Sequence, residues 1–547
     1  MSATMDEGFA ALAEYDWEHA ISVFVTALEA SETPDALAGL AEGHYWLGHY
    51  PQAIALQERA FGLFVQADRP QPAARTAIRL ALLHGLIFGN AVAVSGWVGH
   101  AVRLLDGIEE CAEQGHMEVF LACIADDPAE RERRARTALA LARRVGDRSL
   151  EYDALAYLGQ ALVEQGDVAD GMALIDQSVA AVSGGLVADA WVAGEIYCVL
   201  FHTCELVSDV QRAQAWLGAV DHYVARTREL PISGICRMHY GGLLTAAGRW
   251  PEAEHELTQA LAIYDSGYVG TRFEAALRLA DLRARQGRLE EAAWLVEGYE
   301  EHPAAATPLA RLHLARGEHA QAAAVLERDL VRSGDSLFAV ETLALLVQVE
   351  LARGAVKSAR TVVTRLQTVA QRANLDGITG HATHGAGRLC VAEGDHKGAE
   401  AAFRAAITAF AAADRHLNLA AVRLELGAVL AAERPDAAKV ELQRALATFQ
   451  QVDAALECDR AARLLSRLET VPPPDRAAVL TPRESEVLTM VSSGLTNRDI
   501  AAGLVISVRT AEHHVSQILS KLGAANRTEA AAIAADERYT RSISRSS

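Results

Sequence analysis

A short glycine tag recurs along this chain and constrains its fold more than any other feature. It reads Leu47-Gly48-His49-Tyr50, Gln165-Gly166-Asp167, Ala247-Gly248-Arg249-Trp250, Gln286-Gly287-Arg288, Arg316-Gly317-Glu318, Arg353-Gly354-Ala355 and Glu393-Gly394-Asp395. Each tag follows one stretch of helical periodicity and precedes another, where glycine can take the left-handed conformation that ends a helix. From Gly248 to Gly394 the steps are 39, 30, 37 and 40 residues, a period that suits a two-helix unit. Composition agrees, with 14 prolines in 547 residues and a chain filled with Ala, Leu, Glu and Arg. Alternating strand patterns are nearly absent and helical spacing runs almost throughout, so the expected class is all-α. Hydrophobic residues make up 51%, enough for a large core, and wholesale disorder is excluded.

Within the units, small and bulky residues keep fixed offsets. Gly8, Ala20, Phe24 and Ala27 are spaced 12, 4 and 3, as are Gly241, Ala253, Leu257 and Ala260, and again Gly387, Ala399, Phe403 and Ala406. Small residues let the two helices of a hairpin approach, while the large one is expected to fill the gap between neighbouring hairpins. This pattern resembles the tetratricopeptide repeat over about residues 5–468, degenerately between about 85 and 150 and near Asp209, where the glycine tag is missing. The resemblance implies an α-solenoid with a concave surface that holds a peptide, a partner protein or a small ligand. The seven tryptophans are expected to pack between hairpins.

The chemistry of an enzyme is missing. No Gly-x-x-x-x-Gly-Lys-[Ser/Thr] occurs in a chain with only four lysines, which excludes a P-loop ATPase. Nucleophile-elbow, dinucleotide-binding and zinc-protease motifs are absent as well. His381-Ala-Thr-His384 has a metal-like spacing but lacks neighbouring Cys or acid partners, and reads as an incidental surface pair. No enzyme activity, metal or cofactor is expected. The seven cysteines never pair as C-x-x-C and read as buried, reduced thiols of a cytoplasmic protein. The start lacks a basic segment followed by an apolar core, so no signal peptide is expected, and no uncharged apolar run long enough for a membrane span is seen.

Charge divides the chain. The whole carries 51 Lys+Arg against 71 Asp+Glu, a formal net charge of -20. Residues 476–547 hold nine basic and seven acidic residues, a net of +2, which leaves 42 against 64, or -22, for residues 1–475. A nucleic-acid binder along its whole length is excluded, whereas a small binding module on an acidic body is not.

The C-terminal stretch has its own punctuation. Thr470-Val-Pro-Pro-Pro-Asp475 makes a stiff extended spacer. Thr481-Pro-Arg-Glu484 is a capping box with proline at the first helical position, and its helix carries Val487, Leu488 and Val491 before Gly494. Thr496-Asn-Arg-Asp499 opens a second, short helix with Ile500, Ala501 and Leu504. Ser507 caps a third, from Val508 to Leu522, stopped by Gly523, and Asn526-Arg-Thr-Glu529 starts a fourth. Two short helices joined by a tight turn form a helix-turn-helix. On the third, Ala511, Val515, Ile518 and Leu522 make the buried stripe. The opposite face carries Arg509, Glu512, His513, Ser516, Gln517 and Ser520, which suits either a solvated helix or a base-reading surface.

The runs Leu480-Thr-Pro-Arg-Glu-Ser-Glu-Val-Leu488, Gly494-Leu-Thr-Asn-Arg-Asp-Ile-Ala501, Ile506-Ser-Val-Arg-Thr-Ala-Glu-His-His-Val515 and Ile518-Leu-Ser-Lys-Leu-Gly-Ala-Ala-Asn-Arg-Thr-Glu-Ala530 resemble the LuxR-type (GerE-like) DNA-binding domain. Ala511 and Ala524 stand where that family usually has valine. The resemblance implies a helix-turn-helix at Asn497–Ser516, with Glu512, His513 and Ser516 touching bases. It implies Thr496, Asn497, Ser507, Arg509, Thr510 and Lys521 on backbone phosphates, His514 in a structural role, and Ala531, Ala534 and Ala535 near a dimer contact. The expected architecture is an α-solenoid of tetratricopeptide-like hairpins over 1–469, a Pro-rich linker over 470–476, a four-helix LuxR-type domain over 477–540 and a disordered tail over 541–547. The function it implies is a bacterial transcription regulator, whose array binds an unknown small-molecule or protein effector. Its other partners would be double-stranded DNA, RNA polymerase and a second copy on DNA, with no membrane. The alternative is an interaction scaffold tethered to DNA.

Overall fold

The structure is a computed structural model that describes all residues except 1, 229, 266, 268, 269, 453, 471–479, 523, 525 and 536–547, and the side chains of 2, 3, 230, 231, 469, 470 and 532–535. The Pro472–Pro474 spacer, the helix stop at Gly523 and the 541–547 tail lie outside the described residues. The chain forms two compact units, Met1–Leu464 and Leu465–Ser547. Among the described residues the secondary structure is helical throughout, with no strand.

In the first unit, consecutive helices pair as antiparallel hairpins from Ser2–Ala13 with Trp17–Ala30 to His416–Leu430 with Pro435–Gln451, followed by Ala455–Thr470. The seven tag glycines all adopt positive φ, from +76° to +106°. The short step of 30 residues between Gly287 and Gly317 arises because the intervening helix, Leu289–Val296, has only 8 residues. Near Asp209 the array is regular although the tag is missing: Ser208 takes the left-handed conformation at φ 63°, and Asp209 caps the next helix by accepting from Arg212 N at 3.0 Å. The stretch from 85 to 150 is likewise regular, with helices Ala91–Leu105, Ala112–Cys123 and Pro128–Val145. The tetratricopeptide-like hairpin therefore continues where its sequence signature fades.

The offset pattern has a steric cause. A Cβ at Gly8 would lie 2.8 Å from the Phe24 ring, one at Gly241 2.6 Å from Leu257 Cγ, and one at Gly387 2.4 Å from Phe403 Cε1. The bulky residue thus seats on the glycine of its own hairpin, and not only between hairpins as expected. Phe24 does both, because a Cβ on Gly39 of the next hairpin would lie 2.3 Å from its ring. Gly427, Ala438, Leu442 and Ala445 form another such unit at spacing 11, 4 and 3, with Leu442 Cγ at 2.6 Å from a Cβ on Gly427.

Hairpin ends also meet hairpin ends far along the chain. Trp17 Nε1 donates to Thr227 O, 210 residues away, at 2.9 Å. Arg415 reaches back to Ala246 O at 3.3 Å, 169 residues away, and to Ser208 Oγ, 207 residues away. A Cβ on Gly248 would sit 2.9 Å from Leu417 Cβ, and one on Gly287 3.2 Å from Leu456 Cγ. At those two tags glycine is needed twice, for its φ and for close approach of the next winding. The array is a superhelix whose successive turns touch.

Packing of the rarer residues only partly follows the sequence reading. Trp17, Trp46, Trp191 and Trp250 are buried, and Trp17 stacks on Trp46 at 4.9 Å, whereas Trp294 is 70% exposed. No disulfide forms among the described residues, and of the seven cysteines only Cys204 and Cys236 are buried. His381 and His384 are not a surface pair: they are 7% and 6% exposed, because their helix turns them into the concave side. One helix, Ala190–Val207, is long and apolar enough to cross a membrane, and 67% of it is buried inside the body, where it serves as core.

Candidate nucleic-acid interface

The second unit is built from four helices, Pro482–Ser492, Asn497–Leu504, Val508–Leu522 and Arg527–Ala535. Their apolar residues form one core of Val487, Leu488, Val491, Ile500, Val515 and Ile518, closed by Ala511, Leu522, Ala524 and Ala530. Both capping boxes form. Thr481 N donates to Glu484 Oε2 at 2.7 Å while Glu484 N donates to Thr481 Oγ1 at 3.3 Å. Thr496 and Asp499 make the same exchange at 3.0 and 3.3 Å. Asn526 Oδ1 accepts from Glu529 N at 2.9 Å.

Helices two and three are joined by Val505, a β-branched residue at φ 55° that is 91% exposed. The left-handed conformation costs an L-residue about 1–2 kcal/mol, so this turn stores strain. Ser507 then starts the third helix, its Oγ accepting from Thr510 N at 3.1 Å and meeting Thr510 Oγ1 at 2.7 Å.

On that third helix Ala511, Val515, Ile518 and Leu522 are buried. Arg509, Glu512, His513, Ser516 and Gln517 are exposed together on the other side, and His514 is half-buried at the border. Fifteen residues make a rod of about 22 Å, long enough to lie across a major groove. The surface around its N-terminal end carries Thr496, Ser507 and Thr510, all exposed, with Asn497 half-buried beside them. Arg498 and Arg509 are exposed and make no ion pair among the described residues.

Besides Ser507 and Thr510, which bond each other, three more of the expected phosphate contacts are already engaged. Thr496 Oγ1 donates to Asp499 Oδ2 at 2.6 Å, and this hydrogen bond, with that from Thr496 N, holds the Asp499 carboxyl below its ordinary pKa. Arg527 Nη1 donates to Asn497 Oδ1 at 2.7 Å and also grips Leu495 O, which fixes the amide and leaves its N–H donors unspent. Lys521 differs most from expectation. Its ammonium donates to both oxygens of Glu484 at 2.8 and 2.7 Å, so its first job is to tie the end of the third helix to the start of the first. Hydrogen bonding by Lys521, then by Thr481 N, pulls the Glu484 pKa down to about 2. One N–H of the ammonium remains for a phosphate. Arg527 and Arg483, whose Nη2 donates to Leu504 O at 2.9 Å, are braces that the sequence reading missed. Arginine next to a helix end was the only signal for them.

Ala531 is half-buried, while the side chains of Ala534 and Ala535 lie outside the described residues. Among the described residues no group of three or more His, Cys, Asp or Glu could hold a metal ion.

The sequence of this module is similar to that of known proteins. The family described as "Bacterial regulatory proteins, luxR family" matches residues 478–534. The C-terminal module is a LuxR-type DNA-binding domain. It is 51% identical over 55 residues to the uncharacterized transcriptional regulatory protein YhcZ of Bacillus subtilis, covering 10% of this chain and 26% of that one. It is 44% identical over 55 residues to the transcriptional regulatory protein LiaR of the same organism, again 10% and 26%. The response regulator protein VraR of Staphylococcus aureus is 44% identical over 52 residues, 10% of this chain and 25% of that one. The chain thus spans about a quarter of the length of these relatives, all of it in the LuxR-type module. For the helical body, the solved structure of the human IFIT1 dimer aligns over 80% of this chain and 93% of that one at 13% identity and a TM-score of 0.41. A likeness that loose carries no argument, and the hairpin array stands on its own geometry.

Proposed function

We propose that the chain is a transcription regulator that reads a specific double-stranded DNA site through the helix Val508–Leu522, under the control of a ligand or protein held by its helical array. The observation that carries this reading is the division of that one helix. A stripe of Ala511, Val515, Ile518 and Leu522 anchors it, and a polar face without a large apolar group stands exposed opposite.

On that face Glu512 accepts from a cytosine amino group, His513 donates to a guanine acceptor and Ser516 contacts a third base edge. Arg509, Thr510, Ser507 and Thr496 flank it on backbone phosphates. Asn497 offers the amide donors that Arg527 orients, and Lys521 adds its remaining N–H. The N-terminus of the third helix favours the same phosphates. Ala531 and its helix lie where a second copy pairs on DNA, and RNA polymerase is the partner through which binding acts. The array occupies 1–469, the spacer 470–476 and the DNA-reading module 477–540. Because the body carries the acid, contact with DNA falls to the module, and its affinity is salt-dependent.

Glu512→Ala is the test. Competition binding of the full chain on sites varied one base pair at a time should show relaxed preference at one position and a loss of about 1–3 kcal/mol on the preferred site. An unchanged preference would remove Glu512 from base reading.

A further inference from the structure

A cavity of about 320 Å³ opens in the first unit, lined by residues from Trp250 to Arg460 on successive hairpins. It shares Arg388, Glu425 and Arg460 with a second cavity of about 530 Å³ beside it. The volume falls within the range of small-molecule sites and is too confined for a folded partner.

The lining departs from the rest of the body. Overall the first 475 residues hold 42 basic side chains against 64 acidic ones. Here Arg285, Arg311, Arg388 and Arg460 face three glutamates. Arg285 Nη2 lies 3.3 Å from Glu341, and Arg388 Nη2 donates to Glu425 Oε1 at 2.7 Å. Burial acts to raise both carboxyls, but these cations hold Glu341 and Glu425 below the usual carboxylate range. Arg460 stands exposed at the rim and makes no ion pair among the described residues. Behind the wall Arg415, 8% exposed, bonds Ala246 O and Ser208 Oγ, and its charge also acts on Glu341. Arg285 and Arg311 are held by Asp281 as well, at 2.6 and 2.7 Å, so the lining cation left without an ion pair among the described residues is Arg460.

Two neutral donors complete it. His381 and His384, three residues apart on the helix Asp376–Glu393, are more than nine-tenths buried, and both line the cavity. His381 Nε2 has no hydrogen-bond partner among the described residues, its nearest carboxylate oxygen lying 3.8 Å away, while His384 Nε2 lies 3.2 Å from Glu425 Oε2. Burial, with Arg388 beside His384 and Arg415 beside His381, lowers both imidazole pKa values, that of His381 to about 4, so both are neutral near pH 7. A buried polar atom left without a partner costs about 1–3 kcal/mol, which a ligand atom or water in the cavity would recover.

We propose that this cavity binds a compact organic anion, its carboxylate or phosphate oxygens held by Arg460, Arg388 and Arg311 and its body hydrogen-bonded to His381 and His384. As the place where the array takes its effector, the site rests on the regulator reading above; as a binding site it does not. Isothermal titration of the full chain without DNA, at fixed ionic strength set with chloride, tests it. Citrate probes the carboxylate source and inorganic pyrophosphate the phosphate source. At least one should bind with submillimolar Kd, and Arg460→Gln, which alters only an exposed and unpaired side chain, should weaken it at least tenfold. His381→Gln should weaken it as well, with circular dichroism confirming that the helices persist. Binding of neither probe, or equal binding by Arg460→Gln, overturns the site. DNA titration of the untreated chain is a separate measurement, so failure of the regulator reading shows there and not in the calorimeter.

Discussion

Arginine does opposite work in the two units. In the body Arg278 lies in a bidentate pair with Glu205 at 2.9 Å on each nitrogen, and Arg285 and Arg311 share Asp281 at 2.6 and 2.7 Å. These guanidinium groups are taken up by carboxylates on neighbouring helices and help hold the concave side together. In the module Arg498 and Arg509 stand exposed with no ion pair among the described residues. The lesson is that net charge is a poor guide to where a chain meets nucleic acid. What counts is which cations the fold has left unspent. Desolvated pairs resist salt, whereas exposed cations and the phosphates they meet do not.

That contrast can be attacked from either side, beginning with the body. Gly387→Leu forces a side chain into the space of Phe403, and such overpacking should cost about 3 kcal/mol. Thermal melting of the full chain should show the body transition falling while the module keeps its DNA preference. If DNA preference fell as well, the two units would be less independent than their separate cores imply.

The next test concerns a cation of the module that is spent in an ion pair. Lys521→Ala leaves the buried Glu484 without its partner and should loosen the module by about 2 kcal/mol, read as faster amide exchange along Val508–Leu522 in the full chain. The same pair sets an acid limit. The folded pKa of Glu484 is about 2 against an ordinary 4.5, so its stabilisation is present above pH 4.5 and is lost as pH falls toward 2. Glu484→Gln should flatten that acid limb; an unchanged limb would show that the pair does not hold the helices together.

Arg509→Gln is expected to have a smaller effect, a several-fold loss of affinity on every DNA sequence alike, with the salt slope reduced by about one unit. A loss confined to one sequence would make Arg509 a base reader instead. Smallest of all, Val505→Gly should relieve the left-handed turn and, after the extra freedom of the unfolded glycine, stabilise the module by about 0.5 kcal/mol.

Much of this was legible beforehand, and what was not shares a physical reason. Helix ends announce themselves locally, so the tag glycines, the capping boxes at Thr481 and Thr496 and the buried stripe of the third helix could all be read from neighbouring residues. The unit at Gly427 escaped because a loop one residue shorter changed its offset from 12 to 11. Ser208 escaped because a non-glycine residue rarely takes that conformation. The pairing of Lys521 with Glu484 joins residues 37 apart, and the burial of His381 and His384 depends on helices that curve around them. Periodicity along one helix says which face is apolar, but not which distant groups a polar face will meet.

The touching turns of the array have a mechanical meaning. A spring wound until its coils meet cannot be compressed further; it can only be stretched. Each contact such as that of Arg415 with Ser208 acts as a stop on one side and a latch on the other. Any force on this coil therefore has a single direction of travel open to it, and lengthening must begin where a latch lets go.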